Sequence, residues 1–443
     1  MIVILGGGLA GMSTAYHLAR VLPHEPRCIL ERNDVPGGLA RTRRIDGFSF
    51  DDTGHYLHLR DPAIKAWVEE LLPGEMVEVE RKAKIHSRGV RLEFPYQANL
   101  AGLPPAVIAK NLTDLISASS QPAPDSSGRM PFGQWARRVF GDGIAEEFML
   151  PYNQKLFLKD PDQMTAEWVA WAVPRPSIEQ VIRGALGLPN TGMGYNPKFL
   201  YPRSGGIGVL PAALARRVDT DLRCNQSVVS IDPTSRTVTL QSGERIRYDR
   251  MVSTLPLPKL LAILEPSDTD RPTWREIASR LEWTAVIDLE LGVERAAIAG
   301  GAHWIYFPEP VYPFYRVGLP SNVCPAMAPP GCSSLSVEFA HDPRTPIPSK
   351  QTLLTKAREG LILAGILSPA DRIRVAHAEL LDPAYVVFRP DTTSLTQWAL
   401  ERLRGAGIES IGRFGAWTYS YMERALLDGK EAAARLALSH TSC

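Results

Sequence analysis

The chain has 443 residues, of which 49 are basic and 48 acidic, a formal net charge of +1, and 44% hydrophobic residues. Such balanced charge gives no bulk electrostatic case for nucleic acid or an anionic membrane, and the length predicts two or three domains. No apolar run reaches the length of a membrane span, and the chain opens on a strand instead of a signal peptide, so a cytoplasmic protein with no membrane span is expected. Cys28, Cys224, Cys324, Cys332 and Cys443 lack C-x-x-C spacing, and the nine histidines show no H-x-x-x-H pairing, so neither disulfides nor a metal site is expected.

Residues 1–5 are an apolar run suited to one buried parallel strand. It breaks into Gly6-Gly7-Gly8-Leu9-Ala10-Gly11, and residues 12–20 read as a helix. Strand, glycine turn and helix together make G-x-G-x-x-G a dinucleotide fingerprint. Gly6 permits the tight turn, Gly8 lets backbone approach a pyrophosphate, and Gly11 lets helix pack on strand. The helix N-terminus, at Leu9 and Ala10, offers free N–H groups to the phosphates. Residues 27–31 predict a second strand ending in Glu31, beside Arg32, whose carboxylate would accept hydrogen bonds from ribose hydroxyls.

Further along, residues 48–57 end a strand and enter a turn, and residues 84–94 alternate like a hairpin with Arg88-Gly89 at its tip. From 103 to 186, apolar spacings of three and four predict helices, broken at Pro151-Tyr152-Asn153, with Trp135 and Trp168 in the core. Residues 121–129 read as a surface loop. Glycines at 205, 206 and 208 open a helix, and 228–232, 237–240 and 245–248 form a small meander before a strand at 251–255. Strands over 283–293, 302–307, 314–318 and 333–339 predict a second, antiparallel sheet. Residues 408–413 return a strand to the first domain, and 421–437 form a closing helix. The expected fold class is α/β: a discontinuous Rossmann-type domain (1–80, 196–270 and 396–443), a substrate-sheet hairpin (81–102), a helical insertion (103–195) and an antiparallel β-sheet substrate domain (271–395).

Pro36-Gly37-Gly38-Leu39-Ala40-Arg41-Thr42 resembles the second glycine pair of FAD-binding, amine-oxidase-like flavoproteins, which points to FAD as the cofactor. From residue 2 to about 436 the chain resembles one group of these, the flavin-dependent UDP-galactopyranose mutases, especially the eukaryotic-type ones. Gly54-His55-Tyr56-Leu57 resembles their histidine segment beside the flavin. Pro95-Tyr96-Gln97 and Phe148-Met149-Leu150-Pro151-Tyr152-Asn153 resemble their uridine-binding segments, and Asn196 to Pro202 with Gly205-Gly206 their next shared block. His303-Trp304-Ile305-Tyr306-Phe307-Pro308, then Phe314-Tyr315-Arg316, resembles the diphosphate clamp. Ala384-Tyr385-Val386-Val387 and Gly412-Arg413-Phe414-Gly415-Ala416-Trp417-Thr418-Tyr419 resemble the remaining motifs.

The resemblance implies that Arg316, Tyr306, Tyr385 and Tyr419 hold a diphosphate, with Arg413 near it or the flavin, and that His55 tunes the flavin edge. It places Met422 and Glu423 at a helix N-terminus on the pyrimidine side of the flavin, and Val228 with the cofactor-binding set. The implied reaction interconverts pyranose and furanose forms of a UDP-galactose-like sugar through a reduced-flavin N5–sugar adduct without net redox, with NAD(P)H a candidate electron donor. The implied partner is a nucleotide-sugar small molecule. Two departures stand out. The second clamp arginine aligns with Ala172, three residues before Arg175, and the tryptophan after the Pro-Tyr-Asn segment is Phe157. The departures leave room for a flavin oxidoreductase of amine-oxidase or protoporphyrinogen-oxidase style, and, third, for a non-catalytic flavin sensor.

Overall fold

The computed structural model describes residues 1–122, 129–168, 173–188, 197–265 and 271–440. Most of the expected loop at 121–129, and Ala172, Asn196 and Cys443, lie outside the described residues. A five-stranded sheet runs in the order Ile408–Ser410, Arg250–Ser253, Ile2–Leu5, Arg27–Leu30, Leu222–Arg223, with every pair parallel. Its central strand is buried on both faces, which explains its unbroken apolar run. Ile2 and Ile4 pack toward the helices Leu9–Val21 and Met422–His440, and Val3 and Leu5 toward the meander Val228–Asp232, Thr237–Leu240, Arg245–Arg247. The two helices touch at Gly429, where a β-carbon would stand 2.5 Å from the Ala10 carbonyl oxygen.

The second sheet has seven strands: Ile373–Val387, Glu282–Val293, Ser333–His341, Arg316–Gly318, Trp304–Tyr306, Ala83–Ser87 and Val90–Glu93. All neighbours are antiparallel except Trp304–Tyr306 beside Ala83–Ser87. Strand alternation divides its two faces. Ile287, Leu289, Leu291, Leu335, Val337 and Phe339 join Leu353, Ala357 and Leu361 of the helix Lys350–Leu363 in one apolar cluster. Asp288, Glu290, Ser334, Ser336 and Glu338 point the other way and are also buried. The second face therefore has to be satisfied by polar partners.

Three features depart from the sequence expectations. The 15-residue strand Ile373–Val387, expected only as a tyrosine segment at its end, pairs along Glu282–Val293. Its apolar alternation is spoiled by His377, Glu379 and Asp382-Pro383. A register shift between Thr284 and Val286 absorbs Pro383, which has no N–H for the ladder. The strands Met76–Glu80 and Lys198–Pro202 also pair, across a separation no local pattern reports. Finally, the helical insertion does not break at Pro151. Phe132–Ile144 passes through a π turn, Ala145–Met149, into Leu150–Phe157, and Pro151 falls in the first turn after the widened loop, where its missing donor costs little. The break lies at Gly141, with φ of 75°.

Gly141 is also where this segment meets Pro105–Ser119, since a β-carbon there would stand 2.4 Å from the Asp114 carbonyl carbon. Gly141→Ala is expected to cost about 2–4 kcal/mol, from backbone strain plus overpacking. Urea denaturation of the FAD-loaded protein measures it; a change below the scatter of replicate curves rules out this packing account.

Candidate active site

The first glycine turn is closed by backbone. Gly7 O accepts from Gly37 N–H at 2.8 Å, and a β-carbon on Gly38 would stand 3.3 Å from the Gly8 α-carbon, so the two glycine pairs pack against each other. Gly6, with φ of 99°, leaves no room for a side chain, because Thr254 Oγ1 stands 2.2 Å from where its β-carbon would lie. Gly11 is confined by the Gly6 carbonyl oxygen at 2.0 Å on the same measure. Gly8 is different, with nothing nearer than 3.7 Å. Gly8 is also the N-cap of Leu9–Val21 and makes no side-chain cap, leaving the N–H groups at Leu9 and Ala10 to a ligand. Glu31 is buried and accepts from Gly7 N–H and Asn33 N–H, both at 2.8 Å. Each carboxylate oxygen retains a lone pair for a ribose hydroxyl. Arg32 is exposed, Leu39 half-buried and Ala40 buried beside the second glycine pair, and Val228 opens the meander, tied to this strand end by Gln226 N–H on Glu31 O at 2.7 Å. Gly412 faces Ala10, whose β-carbon would lie 3.2 Å from one built there.

The second half of the site is one register row of the large sheet. Tyr306 pairs with Arg316, Arg316 with Glu338, Glu338 with Asp288 and Asp288 with Glu379, so five consecutive strands present these side chains on one face. Glu338 takes Arg316 bidentately, at 2.7 Å to Nε and 2.8 Å to Nη2, and also accepts the Tyr315 hydroxyl. Asp288 accepts Thr53 N–H at 3.0 Å and the Ser336 hydroxyl at 2.7 Å. Arg43 spans Glu290 at 2.8 Å, Glu379 at 3.1 Å and Asp52 at 3.4 Å. Burial, with neighbouring carboxylates, pushes Asp288 and Glu290 up from the usual carboxylate range, while Arg43 beside Glu290 pulls the other way.

Around Arg316 the aromatics converge. Tyr152 meets Tyr306 edge-on with ring centroids 5.4 Å apart, and lies 6.2 Å from Tyr315. Tyr385 is near Tyr315 and Phe157, and Trp168 joins Phe157 to Tyr419. Arg413 lies 5.4 Å over Tyr385 and 5.5 Å over Tyr419, and donates to Ser420 O at 3.0 Å and Ala384 O at 2.9 Å. Its Nε is buried without a partner, as is His55 Nδ1. Burial, then Arg413 and Arg316, pull His55 down to about 4, so the imidazole is neutral at pH 7. Gly54 and Tyr56 flank it, half-buried, and Leu57 is fully buried. Met422 is buried at the start of the last helix, while the Glu423 carboxylate accepts the backbone N–H of Arg60 and Asp61.

Other expected uridine contacts have structural partners. Tyr96 shows no exposed surface, stacks on Phe148 and accepts from Asn111 Nδ2 at 3.3 Å. Gln97 donates to Pro174 O at 2.8 Å, and Asn153 to Met149 O at 2.7 Å. Arg175 is exposed, with its guanidinium 5.5 Å over the Trp135 ring. Sequence reasoning missed Glu338 and Lys155. Glu338 carried a signal, being the one carboxylate on the strand Ser333–His341.

The flavin-containing amine oxidoreductase family model matches residues 9–437. The chain belongs to that family. Among solved structures, reduced UDP-galactopyranose mutase is 27% identical, covering 98% of this chain and 93% of its own, with a TM-score of 0.92. Cyclohexylamine oxidase from Brevibacterium oxydans (16%, 99% of each chain, TM-score 0.69) and a fatty acid isomerase from P. acnes (14%, 98% of each, 0.64) share the fold. The family implies FAD, and the residues fit it: a glycine cradle at a free helix N-terminus, Glu31 at the second strand's end, and orphaned nitrogens on His55 and Arg413. Gly8→Ala is expected to leave the fold intact but weaken FAD binding about tenfold or more, because the methyl occupies the face that a pyrophosphate approaches. Gly11→Ala, by contrast, should lose the fold. Flavin absorbance and circular dichroism of the purified variants separate the two; a fully flavinylated Gly8→Ala protein refutes the assignment.

Proposed function

We propose that the protein is a flavin-dependent nucleotide-sugar mutase, interconverting pyranose and furanose forms of UDP-galactose or a relative with no net redox. The observation that carries this reading is the convergence of Arg316, Arg413, Tyr152, Tyr306, Tyr385 and Tyr419 beside His55. The likeness to reduced UDP-galactopyranose mutase supports it.

A leaving diphosphate needs cations and donors fixed before it departs. Glu338 engages Nε and Nη2 of Arg316, which fixes the guanidinium plane and leaves Nη1 for substrate. Arg413 rests on two carbonyls, with no carboxylate bonded to it among the described residues, so it brings net positive charge to the site. Tyr419 is partly open to solvent, and desolvation within the cluster pushes its phenol up, so it stays a protonated donor. Tyr152, Asn153 and Phe157 line the side assigned to uridine, where Gln97, Tyr96 and Arg175 act through the packing of the insertion, and Asn196 completes the expected set. Bound and reduced, FAD would supply the electron-rich nucleophile that the anomeric carbon requires. NAD(P)H would serve as its reductant.

One observation favours a second reading, substrate dehydrogenation by a flavin oxidoreductase: Arg175, the substitute for the second clamp arginine, sits over Trp135. Anaerobic incubation with UDP-galactose and related nucleotide sugars decides between them. The expected result is an isomer formed only by the reduced enzyme, with the flavin still reduced afterwards. Arg316→Lys should lower turnover roughly 10²–10³-fold with FAD content unchanged. No isomer from any nucleotide sugar, with flavin reduction by another metabolite, would sink the mutase reading.

A further inference from the structure

Lys155 is half-buried, and among the described residues no carboxylate is bonded to it. Its ammonium donates to three backbone carbonyls: Phe307 O at 2.8 Å, Glu309 O at 2.7 Å and Phe314 O at 3.0 Å. An ammonium has three N–H donors, so this one is saturated. Burial pulls it down to about 7, the cost of holding a cation among neutral acceptors.

The acceptors all belong to the turn that joins Trp304–Tyr306 to Arg316–Gly318. That turn contains Pro308, Pro310 and Pro313, none of which has an N–H to offer its carbonyls. Within the turn Glu309 O also accepts Tyr312 N–H at 3.3 Å, and Lys155 supplies further donors to Phe307 O, Glu309 O and Phe314 O. Its other end is fixed on the helix Leu150–Phe157, three residues after Tyr152 and hence on the same helical face. Tyr152 in turn abuts Tyr306 and Tyr315.

We infer that Lys155 is a positioning residue that sets the distance between the base-side helix carrying Tyr152, Asn153 and Phe157 and the diphosphate-side hairpin carrying Tyr306 and Arg316. This rests on the mutase reading for the ligand, but the contact it describes does not. The turn has two further ties, Glu309 accepting Arg88 N–H at 2.5 Å and His86 Nε2 with the Tyr312 hydroxyl at 2.8 Å. Both lead to the hairpin Ala83–Ser87/Val90–Glu93, whose Arg88 also pairs with Glu147 in the π turn ahead of the helix. Among the described residues, the direct hydrogen bonds from the turn to Leu150–Phe157 are those of Lys155. A ligand spanning base and diphosphate would read that spacing as affinity.

The test compares Lys155→Met, similar in length and without donors, with Lys155→Arg, which restores charge and donors. Binding of UDP to the FAD-loaded enzyme is followed by calorimetry, the kcat and KM of the reduced enzyme by chromatography, and amide exchange of residues 307–315 by mass spectrometry. Lys155→Met is expected to weaken UDP binding and raise KM on the order of 10- to 100-fold, with kcat within about threefold, faster exchange in 307–315, and partial recovery in Lys155→Arg. Unchanged UDP affinity and exchange would overturn the inference. So would loss of FAD and UDP together with exchange raised across the whole chain, since that marks a residue needed only for folding. If Lys155→Met does not fold, Lys155→Gln, which keeps two N–H donors, takes its place with the same readouts. If wild-type enzyme binds no UDP, the mutase reading fails, while the exchange comparison still decides whether Lys155 ties the turn to the helix.

Discussion

A sheet covered on both faces must satisfy whatever polar side chains its alternation sends to the second face, and here that requirement organises the molecule. Asp288, Glu290 and Glu338 have no exposed surface, and a buried carboxylate without partners is among the most expensive groups a fold can hold. Their partners come from far-separated segments: Arg43 from the two-stranded ribbon, Thr53 from the turn before His55, Arg316 and Tyr315 from the hairpin. Satisfying the carboxylates therefore docks the ribbon and the histidine turn onto the sheet. The same contacts that make burial tolerable assemble the site.

Within that frame the two halves divide the work. The parallel sheet and its glycine turns form a cradle for a dinucleotide, with Glu31 fixed by backbone N–H groups at its edge. The antiparallel sheet supplies a straight row from Tyr306 to Glu379, in which a carboxylate stands directly behind the guanidinium it orients. The helical insertion roofs the aromatic cluster and meets the sheet through Tyr152 and Lys155.

Much of this was legible in the sequence because local chemistry dictates it. The glycine fingerprint, the acid at the end of the second strand and the Arg88-Gly89 tip each need a particular residue in a particular backbone conformation, and both tip residues have positive φ. The ten-residue interval between Tyr306 and Arg316 is that of direct partners across one hairpin. What the sequence concealed depends on distant pairing. Ile373–Val387 is a strand because Glu282–Val293 lies beside it, whatever its own mixed pattern suggests. Pro151 looked like a stop because periodicity does not register a π turn that makes room for it. Tyr96 and Gln97 are also tied to Asn111 and Pro174, pairings that no local pattern reports.

The five-stranded sheet also bears on how the chain reaches its native state. Ile2–Leu5 is flanked by Arg27–Leu30, from the same end of the chain, and by Arg250–Ser253, whose outer neighbour is Ile408–Ser410. A ribosome releases the first strand long before the last, and parallel pairings at such separation form slowly because loop closure precedes any gain. During that interval Val3 and Leu5 lack the meander that covers them in the native fold. The cofactor cradle is thus finished late in synthesis, after the antiparallel sheet has emerged, so the parallel sheet is the part of the fold that waits longest for its partners.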